Sequence, residues 1–161
     1  MKIAIEELMT ESGVKFGTSG ARGLVSAMTD RVVYAYTSAF LAHICQLHST
    51  NSIRRLTLAG DLRPSSPRIM RAIARAAIDE GYEVINCGFI PSPAVVLYGM
   101  SQQIPSIMVT GSHIPDDRNG IKFHRAEGEI DKLDEKSIRA SLIQLKSEFT
   151  LDGDLLGDVD L

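Results

Sequence analysis

Cysteine is scarce in this chain, and no pattern that would use it is present. Cys45 and Cys87 are its only two cysteines among 161 residues. Each lies in an apolar stretch, with no C-x-x-C pair and no histidine at zinc-ligand spacing, which excludes a disulfide framework and a structural zinc site. They are expected as buried thiols of a cytoplasmic, reducing environment. Excess positive charge is also lacking: 17 Lys and Arg stand against 20 Asp and Glu, for a net charge of −3. That balance argues against a nucleic-acid partner and means that any anion site must be local. Long hydrophobic runs are missing as well. The opening Met1-Lys2-Ile3-Ala4-Ile5-Glu6-Glu7 meets acid too early for a signal-peptide core, and Val32 to Leu47 carries Thr37, Ser38, His43 and Gln46. No membrane association is expected.

What is present fits one folded domain. With 44% apolar and 23% charged residues the chain falls in the globular range, and at this length it can bury roughly 70% of its unfolded surface. Val33, Tyr36, Phe40, Ile44 and Leu47 recur at helical spacing and predict a helix over Asp30 to His48, with Thr29 as its cap. A strand follows at Arg54 to Ala59, then a helix entered by Ser65-Ser66-Pro67 and ended by Gly81. Tyr82 to Cys87 predicts a second strand, Ser92-Pro93 a short helix to about Met100, and Ser106 to Val109 a third strand. Alternating strands and helices imply an α/β fold, a three-layer αβα sandwich on a mixed, mainly parallel sheet. Asn119-Gly120 signals a turn, Ile121 to His124 a fourth strand at an antiparallel edge, and Asp134 to Phe149 a closing helix. Residues 1–150 are expected as the domain and the aspartate-rich residues 151–161 as a linker or frayed end.

Chemistry concentrates in two loops. In Phe16-Gly17-Thr18-Ser19-Gly20-Ala21-Arg22-Gly23, three glycines would let left-handed backbone aim successive N–H groups into a phosphate nest, with Arg22 adding charged donors. The spacing matches neither a P-loop nor G-x-G-x-x-G, and the loop alone reads equally well as a flexible turn. The second, Thr110-Gly111-Ser112-His113-Ile114-Pro115 through Asn119-Gly120-Ile121-Lys122, follows the third strand, where open α/β sheets bind their ligands. Ser112 is a hydroxyl on that loop, His113 a proton carrier beside it, and Lys122 a cation within reach. Read alone, the loop could equally present a solvent-facing serine. A hydrolase elbow needs glycine where Thr110 and Ile114 stand, so the elbow fails and phosphoryl transfer is preferred. A phosphorylated Ser112, carrying roughly −1.5 to −2 charges, suits Arg22, His113 and Lys122 better. Arg68, Arg71 and Arg75 read as a solvated helix face and His43 and His48 as helix-surface or boundary residues; His124 reads as bland too, with a place at the rim of the site left open.

Together these two segments resemble the α-D-phosphohexomutases, the phosphomannomutase and phosphoglucomutase family. Asp61-Leu62-Arg63-Pro64-Ser65-Ser66 is similar to the family's Arg-Asp-x-Arg-x-Ser segment, with Gly60 where the first arginine would stand. The resemblance runs from about Val14 to Lys122 and implies the family's phosphoserine (first) domain. By it, Ser112 is the phosphoserine that gives its phosphoryl group to a hexose phosphate, making a bound hexose bisphosphate. Arg22 and Lys122 lie against the transferring group, and His113 acts as acid/base or orienting residue. Thr18, Ser19 and Gly20 join Arg22 and Lys122 in binding phosphate, and their version of the loop points to mannose or glucose substrates. Magnesium is implied as a cofactor held through the phospho-Ser112 oxygen. Ile114 departs from the usual asparagine after Ser-His. Asp152-Gly153-Asp154 lacks the third aspartate and the arginine of the family's metal loop, so the later domains of the same chain are expected as partners. The isolated domain is then expected to be inactive. The other function open to these residues is a stand-alone phosphate or sugar-phosphate binding module that uses Ser112 only as a hydrogen-bond donor.

Overall fold

The computed structural model describes residues 1–17, 19–48 and 54–161. In chain order the elements are β1 (Lys2–Ala4), α1 (Ile5–Ser12), β2 (Lys15–Phe16), β3 (Gly20–Leu24), α2 (Asp30–Leu47), β4 (Arg55–Gly60) and α3 (Ser66–Asp79). They continue with β5 (Glu83–Asn86), α4 (Ser92–Gln102), β6 (Ser106–Val109), β7 (Arg118–Arg125), β8 (Gly128–Glu129), α5 (Lys132–Arg139) and β9 (Leu142–Gln144). Thr29 caps α2 as expected, its hydroxyl accepting from Val32 N at 3.4 Å. Ser65 does not cap α3 with its hydroxyl. That oxygen instead accepts from Asn119 Nδ2 at 2.9 Å, tying the helix start to the second loop.

The main sheet runs β2-β3-β7-β6-β4-β5, with β8 added to β7. Helices cover both of its sides, and the three-layer α/β class stands. The parallel part is confined to β5, β4 and β6, while β7, β3, β2 and β8 pair antiparallel. Leu56, Leu58, Ile107, Val109, Ile121 and Phe123 form the sheet's share of the larger core, which α2 and α3 complete with Tyr34, Phe40, Ile69 and Ile73. On the other side Ala59 and Met108 meet Val95 of α4. Among the described residues no helix is long and apolar enough to cross a membrane.

Several sequence expectations are corrected. Asn119 and Gly120 are not a turn but lie inside β7, which is flanked by β6 and β3 and so is no edge strand. The helix expected over Asp134 to Phe149 is only α5. Asp131 and Asp134 start it with a reciprocal capping box, and it stops at Ala140, after which β9 pairs with β1. Leu142 and Ile143 are claimed by Ala4 and Ile3 at the far end of the chain, a pairing that no local period reveals. Residues 151–161 lie against the body: Arg31 N donates to Gly153 O, Leu155 N donates to Asp30 Oδ2, and Val159 packs on the core. His43 is buried and hydrogen-bonded to buried Asp134 at 2.7 Å rather than set on the helix surface. Arg68 bonds Asp30 at 2.6 Å and Arg75 bonds Asp79 at 3.0 Å, so two of the three arginines bridge elements or turns. Cys45 and Cys87 are free and half-buried.

Candidate active site

The first loop is a hairpin rather than a nest. Gly17 N donates to Gly20 O at 2.6 Å, between β2 and β3, and neither Gly17, Gly20 nor Gly23 has a positive φ. At Gly20 and Gly23 the missing Cβ serves close approach instead. A Cβ on Gly20 would collide with the Ile121 carbonyl, and one on Gly23 with Val14.

Alternation then sorts the antiparallel strands into two faces. Phe16, Ala21, Ile121 and Phe123 turn toward α2, where the Phe123 and Phe40 rings stack at 4.7 Å. On the other face the register sets Lys15 opposite Arg22, Arg22 opposite Gly120, Gly20 opposite Lys122 and Leu24 opposite Arg118. Over this face opens a cleft of about 670 Å³ whose lining includes Lys15, Arg22, Arg118, Lys122, Ser19 and Thr110, and no carboxylate. Gly20 and Gly120 leave its floor bare. Four cations without an acid, in a protein of net charge −3, give this face a local positive field that favours an anion.

The serine loop begins at its margin. Thr110 N donates to Gly120 O, and Ser112 N donates to the Thr110 hydroxyl, both at 3.0 Å. Two peptide units separate these residues, so the Ser112 Cα lies within about 7 Å of the Thr110 Cα. Ser112 is exposed and has φ 54°, a left-handed conformation that L-residues adopt at a cost of order 1–3 kcal/mol and that the surroundings must hold.

Asp61 and Arg63, just past the end of β4, hold it. Arg63 Nη2 donates to Ile114 O at 2.5 Å, and Nη1 donates to Pro115 O at 2.9 Å and to Arg118 O at 3.3 Å. Gly111 has no Cβ because one would strike that guanidinium; its φ is not positive, so the glycine serves contact rather than a sharp turn. Asp61 Oδ2 accepts from Gly111 N at 3.0 Å, and Oδ1 accepts from the Ser66 hydroxyl at 2.5 Å. Burial pushes the Asp61 carboxyl up, but the hydrogen bonds from Ser66, Gly111, Arg63 and Thr110 outweigh it and hold it below the usual aspartate range.

Of the residues expected from the sequence, Arg22, Lys122, Ser19 and Gly20 meet in the cleft. Ser112 stands beside it, and Thr18 lies outside the described residues. His113 is exposed and makes no side-chain hydrogen bond among the described residues. His124 is buried on β7 and does not line the cleft. Burial lowers its pKa, with Glu129 opposing and Lys122 adding to the effect. Lys15 and Arg118 were missed, although Arg118, Gly120 and Lys122 share the strand period of two. Arg63 belongs to the Asp61 to Ser66 segment, whose sequence alone does not reveal the contacts it makes with residues 114–118. The residues do not by themselves fit magnesium. No cluster of three or more His, Cys, Asp or Glu able to hold a metal occurs among the described residues, and Asp61 and Asp116 are taken up by Arg63.

Comparison with known proteins agrees with this architecture. Residues 13–148 match the family model described as phosphoglucomutase/phosphomannomutase, alpha/beta/alpha domain I. A phosphomannomutase of Salmonella muenchen is 45% identical over 145 residues, covering 88% of this chain and 30% of the relative. A phosphoglucosamine mutase of Trichormus variabilis is 32% identical over 114 residues, covering 70% of this chain and 23% of the relative. The chain thus spans under a third of the length of these relatives. A phosphoglucomutase/phosphomannomutase family protein from Burkholderia thailandensis shares the fold with a TM-score of 0.66 at 23% identity, over 75% of this chain and 28% of that one. With the family model matched over residues 13–148 and 45% identity to the Salmonella muenchen relative across 88% of the present chain, this chain belongs to the phosphoglucomutase/phosphomannomutase family and carries its α/β/α domain I.

Proposed function

We propose that this chain is the phosphoryl-carrying domain of a hexose-phosphate mutase acting on mannose or glucose phosphates, with Ser112 as the carrier. One observation supports the reading above all: the loop that holds Ser112 on a left-handed backbone leaves the margin, at Thr110, of a cleft lined by four cations and no carboxylate. In the transfer, the Ser112 oxygen bonds to phosphorus of a hexose bisphosphate as the bond from phosphorus to the sugar oxygen breaks. The serine proton passes to that sugar oxygen, with His113 placed next in the chain to carry it. In a full cycle that step is preceded by its reverse: the free hydroxyl of an incoming hexose monophosphate attacks the phosphoserine, and the serine–phosphorus bond breaks as the hydroxyl proton returns to the serine oxygen. The bound bisphosphate turns over before its other phosphoryl group passes to Ser112, so that the phosphate has moved between the 1 and 6 positions. Arg22 and Lys122 stabilise the charge spread over the phosphoryl oxygens, and Thr18, Ser19 and Gly20 complete the phosphate contacts.

Sugar recognition and the carboxylates needed for magnesium at the phosphoserine oxygen would come from a longer protein. The 161-residue chain is therefore expected to accept a phosphoryl group but to show no sustained mutase turnover. The test is intact mass and peptide mapping after incubation with glucose 1,6-bisphosphate and magnesium. One added phosphoryl group, confined to Ser112 and abolished by Ser112→Ala, is the expected result. Saturable sugar-phosphate binding with no mass change would instead make the chain a binding module.

A further inference from the structure

We propose that Lys15 is a further phosphate-binding residue of the cleft, sharing with Arg22 a dianionic phosphate group. The inference rests on reading the cleft as a phosphate site, but not on phosphorylation of Ser112. Lys15 and Arg22 face each other directly across the β2–β3 pair. Like charges in that position destabilise a sheet, and neither is within ion-pair distance of a carboxylate among the described residues.

The pair cannot relax by slipping register. Val14, fully buried, accepts a hydrogen bond at its carbonyl from the Tyr36 hydroxyl at 2.5 Å. Phe16 packs its ring 5.3 Å from Tyr36 and 6.0 Å from Phe123. With Val14 and Phe16 fixed inward, alternation sends Lys15 outward. Arg118 and Lys122 are the diagonal neighbours of Arg22 on β7, either side of Gly120. A cationic cross-strand pair anchored on both flanks, over a bare glycine, is satisfied by an anion with several acceptor oxygens. Phosphate monoesters and inorganic phosphate share that chemistry.

Ser112→Ala protein provides the test, since no covalent phosphate can fill the site. Binding of inorganic phosphate and of glucose 6-phosphate is measured at low salt, with and without Lys15→Met. The substitution is expected to weaken both about five- to ten-fold, while Lys15→Arg stays within about two-fold of the parent. In phosphate-free buffer Lys15→Met should melt about 1–2 °C higher, because the unpaired repulsion is gone. If Lys15→Met binds both ligands like the parent while Arg22→Met is weakened, the inference is overturned and the reading of the cleft survives. If the parent binds neither ligand, both fall. A loss confined to glucose 6-phosphate would show that Lys15 reads the sugar rather than the phosphate, and would also overturn it.

Discussion

The two halves of the main sheet are built from the same chain but finished differently. β5, β4 and β6 are parallel, and the β4–β6 part is packed on both faces, by α2 and α3 on one side and by α4 on the other. β2, β3 and β7 are antiparallel and apolar on one face only, and their other face carries Lys15, Arg22, Arg118 and Lys122 over bare glycine. The comparison teaches where a site arises in this fold. The half covered on both sides is filled with apolar packing, while the half left bare on one face gathers the cations and adjoins the loop that leaves a parallel strand with Ser112.

Glycine substitutions should separate the halves most strongly. In Gly20→Ala the new Cβ meets backbone, the Ile121 carbonyl, which cannot move without parting β3 from β7. A loss of about 3 kcal/mol in chemical denaturation is expected. In the parallel half, Gly60→Ala crowds the Met70 side chain, whose flexible thioether can yield, and touches Ser66 Cβ at an ordinary 3.6 Å, so about 1 kcal/mol is expected. Equal losses would remove the distinction. Next in size is Arg63→Ala, which should slow phosphoryl uptake at Ser112 roughly ten-fold by freeing the loop, with Arg63→Lys intermediate. An unchanged uptake rate would mean that Arg63 does not position the serine.

The smallest effect concerns acid. Because the fold lowers the Asp61 pKa, its contribution is complete above the ordinary aspartate value of 3.8 and is lost as pH falls through the lower folded value. Amide exchange in residues 110–118, corrected for intrinsic rate, should stay level from about pH 7 to about pH 4 and rise only below that. Asp61→Asn should exchange faster throughout, without the acid step. A step in the parent above pH 4 would assign the loop's anchorage to another group.

The parallel half was legible in the sequence because its signals are local. Thr29, Ser92-Pro93 and Gly81 mark helix ends, and apolar runs such as Ser106 to Val109 mark buried strands. The antiparallel half was not, since Gly20, Gly23 and Gly120 imitate turn residues when they in fact serve interstrand contact. Asn119-Gly120 is the clearest case: a hairpin signal by composition, yet the Asn119 side chain is spent on Ser65 and Ser66 inside a strand. Arg22, Ser112 and Lys122 could be found from residue type and motif. Lys15 and Arg118 could be found only through pairing register, and the clamp by Arg63 only through contacts about fifty residues away.

The central claim is that the cations of the antiparallel half face the phosphoryl group carried by Ser112. A crystal structure of the chain phosphorylated at that residue measures this directly. The expected result is phosphoryl oxygens within about 3.2 Å of the Arg22 guanidinium and the Lys122 ammonium, over Gly120. A phosphoryl group turned to solvent, with both cations beyond about 6 Å, would contradict the account.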